Sequence, residues 1–203
     1  MDVQKIKEQL SRIKLYYSRN ETIRALGVAV AGLKGIVKSS TPPPTELRSL
    51  LREGSQLLLH DALIQKYLPA PITYQPGQEK QLFTVLSETY KKIIEDQEKE
   101  TYLKTRERKQ SLDQAFNLGI KLLEQKKISE ADKAFTEALT YYKDEERLFY
   151  LIAKALIKSH EPTRAFDYIK KGLTFHPTNN DLSKLYDIAT RLKAGETSAL
   201  DEL

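Results

Sequence analysis

The sequence has no cysteine and no tryptophan, a single methionine, and only eight glycines and eight prolines among 203 residues. Without cysteine the chain cannot form disulfides, thiolate metal sites or a cysteine nucleophile. Long hydrophobic runs are also missing, because the longest uncharged apolar stretch covers only residues 25–33 and a bilayer requires about 20 residues. No apolar region follows the charged start MDVQKIKEQL, so no signal peptide is expected. We therefore expect a soluble, cytoplasmic protein without a transmembrane segment.

Positive charge is concentrated in the first quarter of the chain. The net charge is +5, and residues 1–52 carry ten Lys or Arg against four Asp or Glu. A basic region of this kind can bind an anionic partner, so nucleic acid or a membrane surface is an alternative to be kept. The basic residues are interspersed with apolar stripes, which favours a solvated helix surface instead.

Apolar residues recur at helical spacing through the N-terminal region. Two stripes with spacings of three and four residues, at 3–17 and 23–37, predict two antiparallel helices joined by a short link. Asn20 is the predicted N-cap of the second helix. The stretch GVAVAGLKG at 27–35 lacks a lysine directly after its second glycine, as a phosphate-binding loop requires. Its small residues are better explained as a close contact between the two helices.

Two proline-containing stretches, at 39–45 and 68–78, are predicted to interrupt the helices. Between them, residues 46–67 are predicted to form a third helix. Residues 95–110 then contain ten charged side chains out of sixteen, which predicts an exposed helical connector. Ser111 with Gln114 matches a capping box, so a new helix is expected to begin there. No segment alternates as a strand would, so the fold class is all-α.

An internal repeat occupies the C-terminal half. Residues 112–145 align with residues 146–179 over 34 positions without insertion or deletion. Small residues coincide, and so do large apolar ones: Gly119 with Ala153, Ala131 with Ala165, Ala138 with Gly172, Leu118 with Ile152, Leu122 with Leu156, Phe135 with Ile169, and Leu139 with Leu173. This period and pattern, with Pro177 near the end of the second copy, resembles the tetratricopeptide repeat.

The resemblance implies two antiparallel helices, A and B, in each copy, with small residues where helices approach closely. Residues 180–194 would form a capping helix with one polar side. The expected architecture is an N-terminal helical hairpin or bundle followed by a short tetratricopeptide superhelix. Its parts are an N-terminal helical region at 1–94, the charged connector at 95–110, the repeat domain at 111–194 and a tail at 195–203.

Two copies are fewer than the three that stacked repeats generally need. The first A helix therefore needs a cover. The amphipathic segment 78–94, the other N-terminal helices or a second copy of the chain in a homodimer are the candidates.

No constellation of catalytic or metal-binding residues is visible. His60, His160 and His176 do not have metal-ligand spacing, and the carboxylates are scattered along helix surfaces. We therefore expect no enzyme activity, no metal and no cofactor.

In the tetratricopeptide family the A helices line a concave groove that holds an extended peptide or a partner helix. The positions that map to this groove are Asp113, Phe116, Asn117, Ile120 and Glu124 in the first copy, Arg147, Tyr150, Leu151, Lys154 and Lys158 in the second, and Lys184 and Arg191 on the capping helix. Lys154, Lys158 and Arg191 would favour an acidic or C-terminal carboxylate ligand. Ile120 stands where chaperone-binding members have asparagine, which argues against a carboxylate clamp of their type.

The functional hypothesis is a non-enzymatic adaptor that binds a peptide or helix of another protein in this groove. One alternative is an anion-binding module that uses the basic N-terminal helices, although nucleic acid is not the expected partner. The other is a structural subunit that associates only with itself.

Overall fold

The chain is all-α in the computed structural model, which describes residues 2–39, 41–69 and 72–203. Within those residues there are nine α-helices and one 3-10 helix, and no strand. Neighbouring helices pack antiparallel, so the predicted fold class is confirmed. The chain divides into two compact units, which we call the N-terminal unit (residues 1–102) and the C-terminal unit (residues 103–203).

The N-terminal unit begins with a helical hairpin. Its helices are α1 (Val3–Ser18), α2 (Thr22–Val37), α3 (Thr45–Leu59), α4 (Ala62–Tyr67) and the first part of α5 (Glu79–Glu124). The small residues of α2 let α1 approach closely, as predicted. A methyl group added at Gly32 would lie 2.7 Å from Leu10 Cδ2, and one at Gly35 would lie 2.9 Å from Ile6 Cδ1. Leu10 and Ile6 are both buried, so these contacts belong to the core of the unit.

The prediction of one helix over 46–67 is wrong. Helix α3 ends at Leu59 and α4 begins at Ala62. The carboxylate of Asp61 accepts hydrogen bonds from the backbone N–H groups of Leu63 (2.9 Å) and Ile64 (3.3 Å). This N-cap satisfies donors that a helix start leaves free, and it explains why a second helix begins here.

The prediction of a helix start at Ser111 is also wrong. Helix α5 runs without interruption from Glu79 to Glu124, a length of 46 residues. Residues 78–118 contain neither proline nor glycine, so nothing in the chain forces the helix to end. Residues 95–107 are exposed and helical, as the charge pattern predicted. Apart from Thr45, which begins α3, the proline-containing stretches lie outside the helices where they are described. Ser40, Ala70 and Pro71 lie outside the described residues.

The C-terminal unit is a succession of antiparallel helices around one apolar core. After the end of α5 come α6 (Ile128–Thr140), α7 (Leu148–Lys158), α8 (Pro162–Phe175), α9 (Asn180–Lys193) and the 3-10 helix (Thr197–Glu202). Glycine is required where the helices approach most closely. A methyl group at Gly119 would lie 2.6 Å from Cδ1 of Phe135, and one at Gly172 would lie 2.7 Å from Cβ of Phe149.

One turn geometry recurs between successive helices. Helices α5 and α7 end 34 residues apart, at Glu124 and Lys158, and in each case the second residue after the helix has positive φ: 58° at Lys126 and 60° at His160. That residue and the next one donate hydrogen bonds back to the last helical turn, with N···O distances of 2.9 Å in both copies. This is the Schellman pattern, which satisfies carbonyl groups at a helix end.

The same hydrogen-bonding pattern occurs in two further turns. Asn20, between α1 and α2, has a φ of 58°, and Gly195, between α9 and the 3-10 helix, has a φ of 95°. Asn20 is therefore the left-handed residue of the turn, and its prediction as an N-cap is wrong because Glu21 occupies that position. Four helix ends thus share one local geometry, although only two of them lie in the sequence repeat.

Candidate functional site

The predicted groove residues lie on three helices of the C-terminal unit. The five of the first copy are on α5, those of the second are on α7 or at its N-cap Arg147, and the last two are on α9. Phe116, Ile120, Tyr150 and Lys154 are half-buried. The remainder are exposed apart from Arg191, which is partly buried.

A cleft of about 620 Å³ opens where α7 and α9 lie side by side. It brings together two of the predicted groove residues, Tyr150 and Lys184, with the apolar side chains of Leu185 and Ile188. Two acidic residues, Asp181 and Asp187, also line it, as do Glu202 and Leu203. The described residues that line this cleft include none from α5, so the five positions of the first copy do not contribute to it.

A segment that the sequence left as a tail covers one side of this cleft. We call residues 196–203 the 196–203 segment; most of it is the 3-10 helix. Ala199 is fully buried, and Leu200 and Leu203 pack against the core of the unit. The apolar residues at 199, 200 and 203 were a signal that could have predicted a packed segment, as was Gly195 before them.

Lys154 binds this segment directly. Its ammonium group donates a hydrogen bond to the backbone oxygen of Leu203 at 2.8 Å. The same Nζ lies 5.6 Å from the centre of the Tyr150 ring, a distance at which the ring face attracts a cation. The Tyr150 ring therefore supports the ammonium group that binds the segment, since the two residues are one helical turn apart.

Arg191 binds the segment at two carboxylates. Its guanidinium donates to Glu196 at 2.6 and 3.1 Å and to Glu202 at 2.9 Å. The forked geometry suits a guanidinium, whose donors are planar and fixed. The hydrogen bond that Arg191 donates lowers the pKa of Glu196, and the hydrogen bonds that Glu196 and Glu202 accept raise the pKa of Arg191. Thus two predicted groove cations, Lys154 and Arg191, already have partners within the chain.

The five predicted groove residues on α5 lie outside this cleft and have other neighbours. The Phe116 ring lies 6.0 Å from that of Phe135, centre to centre, and Ile120 packs on the same core. Asp113, Asn117 and Glu124 are exposed on α5. This part of the predicted groove is a surface with an apolar base and polar edges.

Arg108 has a structural role that the charge pattern did not predict. It belongs to the charged stretch 95–110, yet its side chain is only 22% exposed. It donates to the carboxylate of Glu145 at 2.7 Å and to the backbone oxygen of Tyr141 at 2.5 Å. The bond from Arg108 lowers the pKa of Glu145 to about 2. Arg108 therefore ties α5 to the link between α6 and α7, a role that spacing alone does not reveal.

His176 also has a specific partner. Its Nε2 lies 2.7 Å from the hydroxyl oxygen of Tyr142, within a group of rings that includes Phe149 and Phe175. Phe175 is 60% exposed although its ring stacks on that of Phe149. His160 occupies a turn, as expected.

The basic residues of the N-terminal unit include several with acidic neighbours. Lys7 pairs with Glu46 and Arg12 with Glu8, while Arg24 lies 2.9 Å from Glu21. The ion pairs of Lys7, Arg12 and Arg24 reduce the positive field that an anionic partner would meet.

A separate hollow of about 540 Å³ is lined by Lys14, Tyr17, Glu53, Gln56, Leu57 and His60.

Among the described residues, no group of three or more His, Asp or Glu side chains could hold a metal ion. No helix in the described part of the chain is both long and apolar enough to cross a bilayer. The chain matches no protein-family model, no curated protein and no solved structure. What its surfaces bind therefore has to be inferred from their own residues.

Proposed function

We propose that this chain is a tetratricopeptide-type adaptor that binds a peptide or helix of another protein and performs no chemistry itself. The observation that carries the proposal is the cleft between α7 and α9, where predicted groove residues meet a peptide segment. Lys154 contacts the backbone oxygen of Leu203, and Arg191 contacts the carboxylates of Glu196 and Glu202. Tyr150 lines the same cleft as Glu202 and Leu203. A surface that holds one segment of chain in this way has the chemistry to hold another.

The repeat geometry gives independent support. The ends of α5 and α7 recur at a period of 34 residues, at Glu124 and Lys158. Gly119 and Gly172 lie at close helix contacts, where the tetratricopeptide resemblance expects small residues. Stacked repeats of this kind present an extended surface, which is suited to a peptide or a helix.

The test is affinity capture from a native lysate with the intact chain and with the variant Phe116→Ala/Tyr150→Ala/Lys154→Glu. We expect the intact chain to retain a protein that the variant does not. Circular dichroism must show that the variant is folded, and Glu130→Gln/Glu137→Gln, on exposed positions of α6, is the matched control. Crosslinking of the captured protein through a photoreactive group at position 151, an exposed residue of α7, would place it at the groove.

Equal capture by both proteins would contradict the proposal. Retention of nucleic acid or lipid alone, lost steeply between about 50 and 200 mM salt, would favour the anion-binding alternative. A mass that increases with concentration and no capture of another protein would favour self-association.

A further inference from the structure

The 196–203 segment lies where a partner peptide would bind. It is anchored by apolar residues, with Ala199 fully buried and Leu203 partly buried against the core. Its polar groups are held by predicted groove residues: Lys154 binds the oxygen of Leu203, and Arg191 binds Glu202. The segment therefore displays, within the chain, one set of contacts that this surface can make.

Charge complementarity defines what kind of peptide fits. The segment, ETSALDEL, has three acidic residues and no basic one. It contacts Lys154 and Arg191, and Lys184 lines the same cleft. The cleft also has its own carboxylates, Asp181 and Asp187. Asp187 lies 3.8 Å from Arg191 and partly neutralises that cation. The attraction for an acidic peptide therefore comes from Lys154 and from the guanidinium donors of Arg191 that hold Glu196 and Glu202. An acidic peptide with a leucine matches these features.

The ionic contacts of the segment are exposed, whereas its apolar contacts at Ala199, Leu200 and Leu203 are packed against the core and must be replaced by a competing peptide. The side chains of Glu196 and Glu202 are 47% and 50% exposed, and exposed ion pairs contribute little net stability. The segment follows Gly195, whose φ of 95° suits glycine and around which a methyl group would meet nothing within 4 Å. This residue can act as a pivot when the segment leaves.

We propose that the 196–203 segment is a resident occupant of the α7–α9 surface, and that this surface accepts acidic, leucine-containing peptides of a partner protein, which must displace it. This inference rests on the proposed adaptor function. The segment lowers the apparent affinity for a partner in proportion to the fraction of molecules in which it is bound. Binding is therefore regulated by anything that weakens the contacts of Glu196 and Glu202.

The experiment titrates a fluorescein-labelled, C-terminally amidated peptide ETSALDEL with the full chain and measures fluorescence polarisation. We expect Glu196→Gln/Glu202→Gln, which weakens the contacts of the segment with Arg191, to bind the peptide about threefold more tightly than the unaltered chain. The control Glu130→Gln/Glu137→Gln makes the same chemical changes on α6 and should leave the affinity unchanged. Adding Lys154→Gln to the Glu196→Gln/Glu202→Gln variant should weaken binding about tenfold.

Hydrogen exchange gives a second readout that does not depend on the variants. Addition of the peptide to the unaltered chain should accelerate amide exchange in residues 197–203, because these residues leave the surface. Exchange in α1 and α2 should not change.

Two results would overturn the inference. Equal peptide affinity in the Glu196→Gln/Glu202→Gln variant and the unaltered chain would mean that the segment does not compete for the surface. Failure of every variant to bind the peptide would mean that the surface does not take this class of ligand. Both results are distinguishable from failure of the adaptor function, since capture of a partner that depends on Tyr150 would survive either one.

Discussion

The two units share the same turn geometry, but different side chains contact the glycines where their helices pack closely. In the N-terminal unit, three glycines of α2 and α3 meet the ends of aliphatic side chains, and Gly27 faces the Tyr90 ring at an ordinary contact distance. The pairs are Gly32 with Leu10, Gly35 with Ile6 and Gly54 with Ile13. In the C-terminal unit, Gly119 meets the ring of Phe135, and Gly172 meets Phe149 and Leu182. An aliphatic end can change its rotamer, whereas a buried ring has few alternatives.

The sequence repeat does not follow from this difference, because Gly119 and Phe135 of the first copy align with Ala153 and Ile169 of the second. The hairpin of α1 and α2 has the same turn without the repeat. The comparison predicts that the C-terminal unit tolerates less change at its helix contacts.

The largest effect is expected from Phe135→Ala in the C-terminal unit. Phe135 is fully buried between α5 and α8 and contacts the rings of Phe116 and Tyr168, so its loss should cost about 3–5 kcal/mol of unfolding free energy. In a hydrogen-exchange experiment, the backbone amides of α6–α8 should become less protected, and those of α1–α3 should keep their protection. Leu33→Ala, at a fully buried position of α2, is the matched change and should have the reverse distribution.

Equal loss of protection in both halves of the chain, from either substitution, would contradict a division into two cooperative units. The two units would then unfold as one.

The second effect compares glycine contacts directly. Gly119→Ala should lower the unfolding free energy by about 1–3 kcal/mol, because the new methyl group overlaps the ring of Phe135. Gly27→Ala, in α2, places its methyl group at an ordinary 3.4 Å from the Tyr90 ring. This control should gain a few tenths up to about 1 kcal/mol from helix propensity. Urea unfolding followed by circular dichroism measures both; a stabilised Gly119→Ala would show that the ring contact is not restrictive.

The third effect concerns acid sensitivity. Arg108 holds Glu145 ionised, with a pKa of about 2 instead of 4.5. Because this pKa is lowered by folding, the contribution to stability is complete above pH 4.5 and is lost as the pH falls towards 2. Arg108→Gln should therefore cost on the order of 1–2 kcal/mol at pH 7 and less near pH 2, where only the loss of its hydrogen bond to the backbone oxygen of Tyr141 remains. Arg106→Gln, exposed on the same helix, should cost less than about 0.5 kcal/mol. A cost for Arg108→Gln that does not depend on pH would exclude the pair with Glu145 as its origin.

Periodicity was sufficient to predict the all-α class and the helices of the N-terminal hairpin, because burial of one stripe decides both. It was misleading at 46–67, where apolar spacing continued past Asp61 although this residue caps a new helix. At Ser111 the capping box was a local pattern inside a longer helix, and the absence of proline and glycine was the stronger signal.

The candidate site was less predictable than the fold. Tyr150, Lys154, Lys184 and Arg191 were selected by a family resemblance, and they lie around one cleft and its segment. Their contacts with residues 196–203 depend on the chain turning back at Gly195. Long-range pairing of this kind, like that of Arg108 with Glu145, has no periodic signal in a single sequence.

The smallest effect tests whether the shared turn has the same energetic cost in both units. Lys126 and His160 have positive φ with a Cβ atom, a conformation that costs roughly 1 kcal/mol and that glycine avoids. Lys126→Gly should therefore stabilise the C-terminal unit by about 0.5–1 kcal/mol, even after the larger entropy of glycine in the unfolded chain is included. Asn20→Gly should gain less in the N-terminal unit, because asparagine tolerates this conformation better than lysine does. Gly195→Lys is the reverse change and should be destabilising. Thermal unfolding measures all three; equal gains from Lys126→Gly and Asn20→Gly would mean that the two units differ in their helix contacts but not in the strain of their turns.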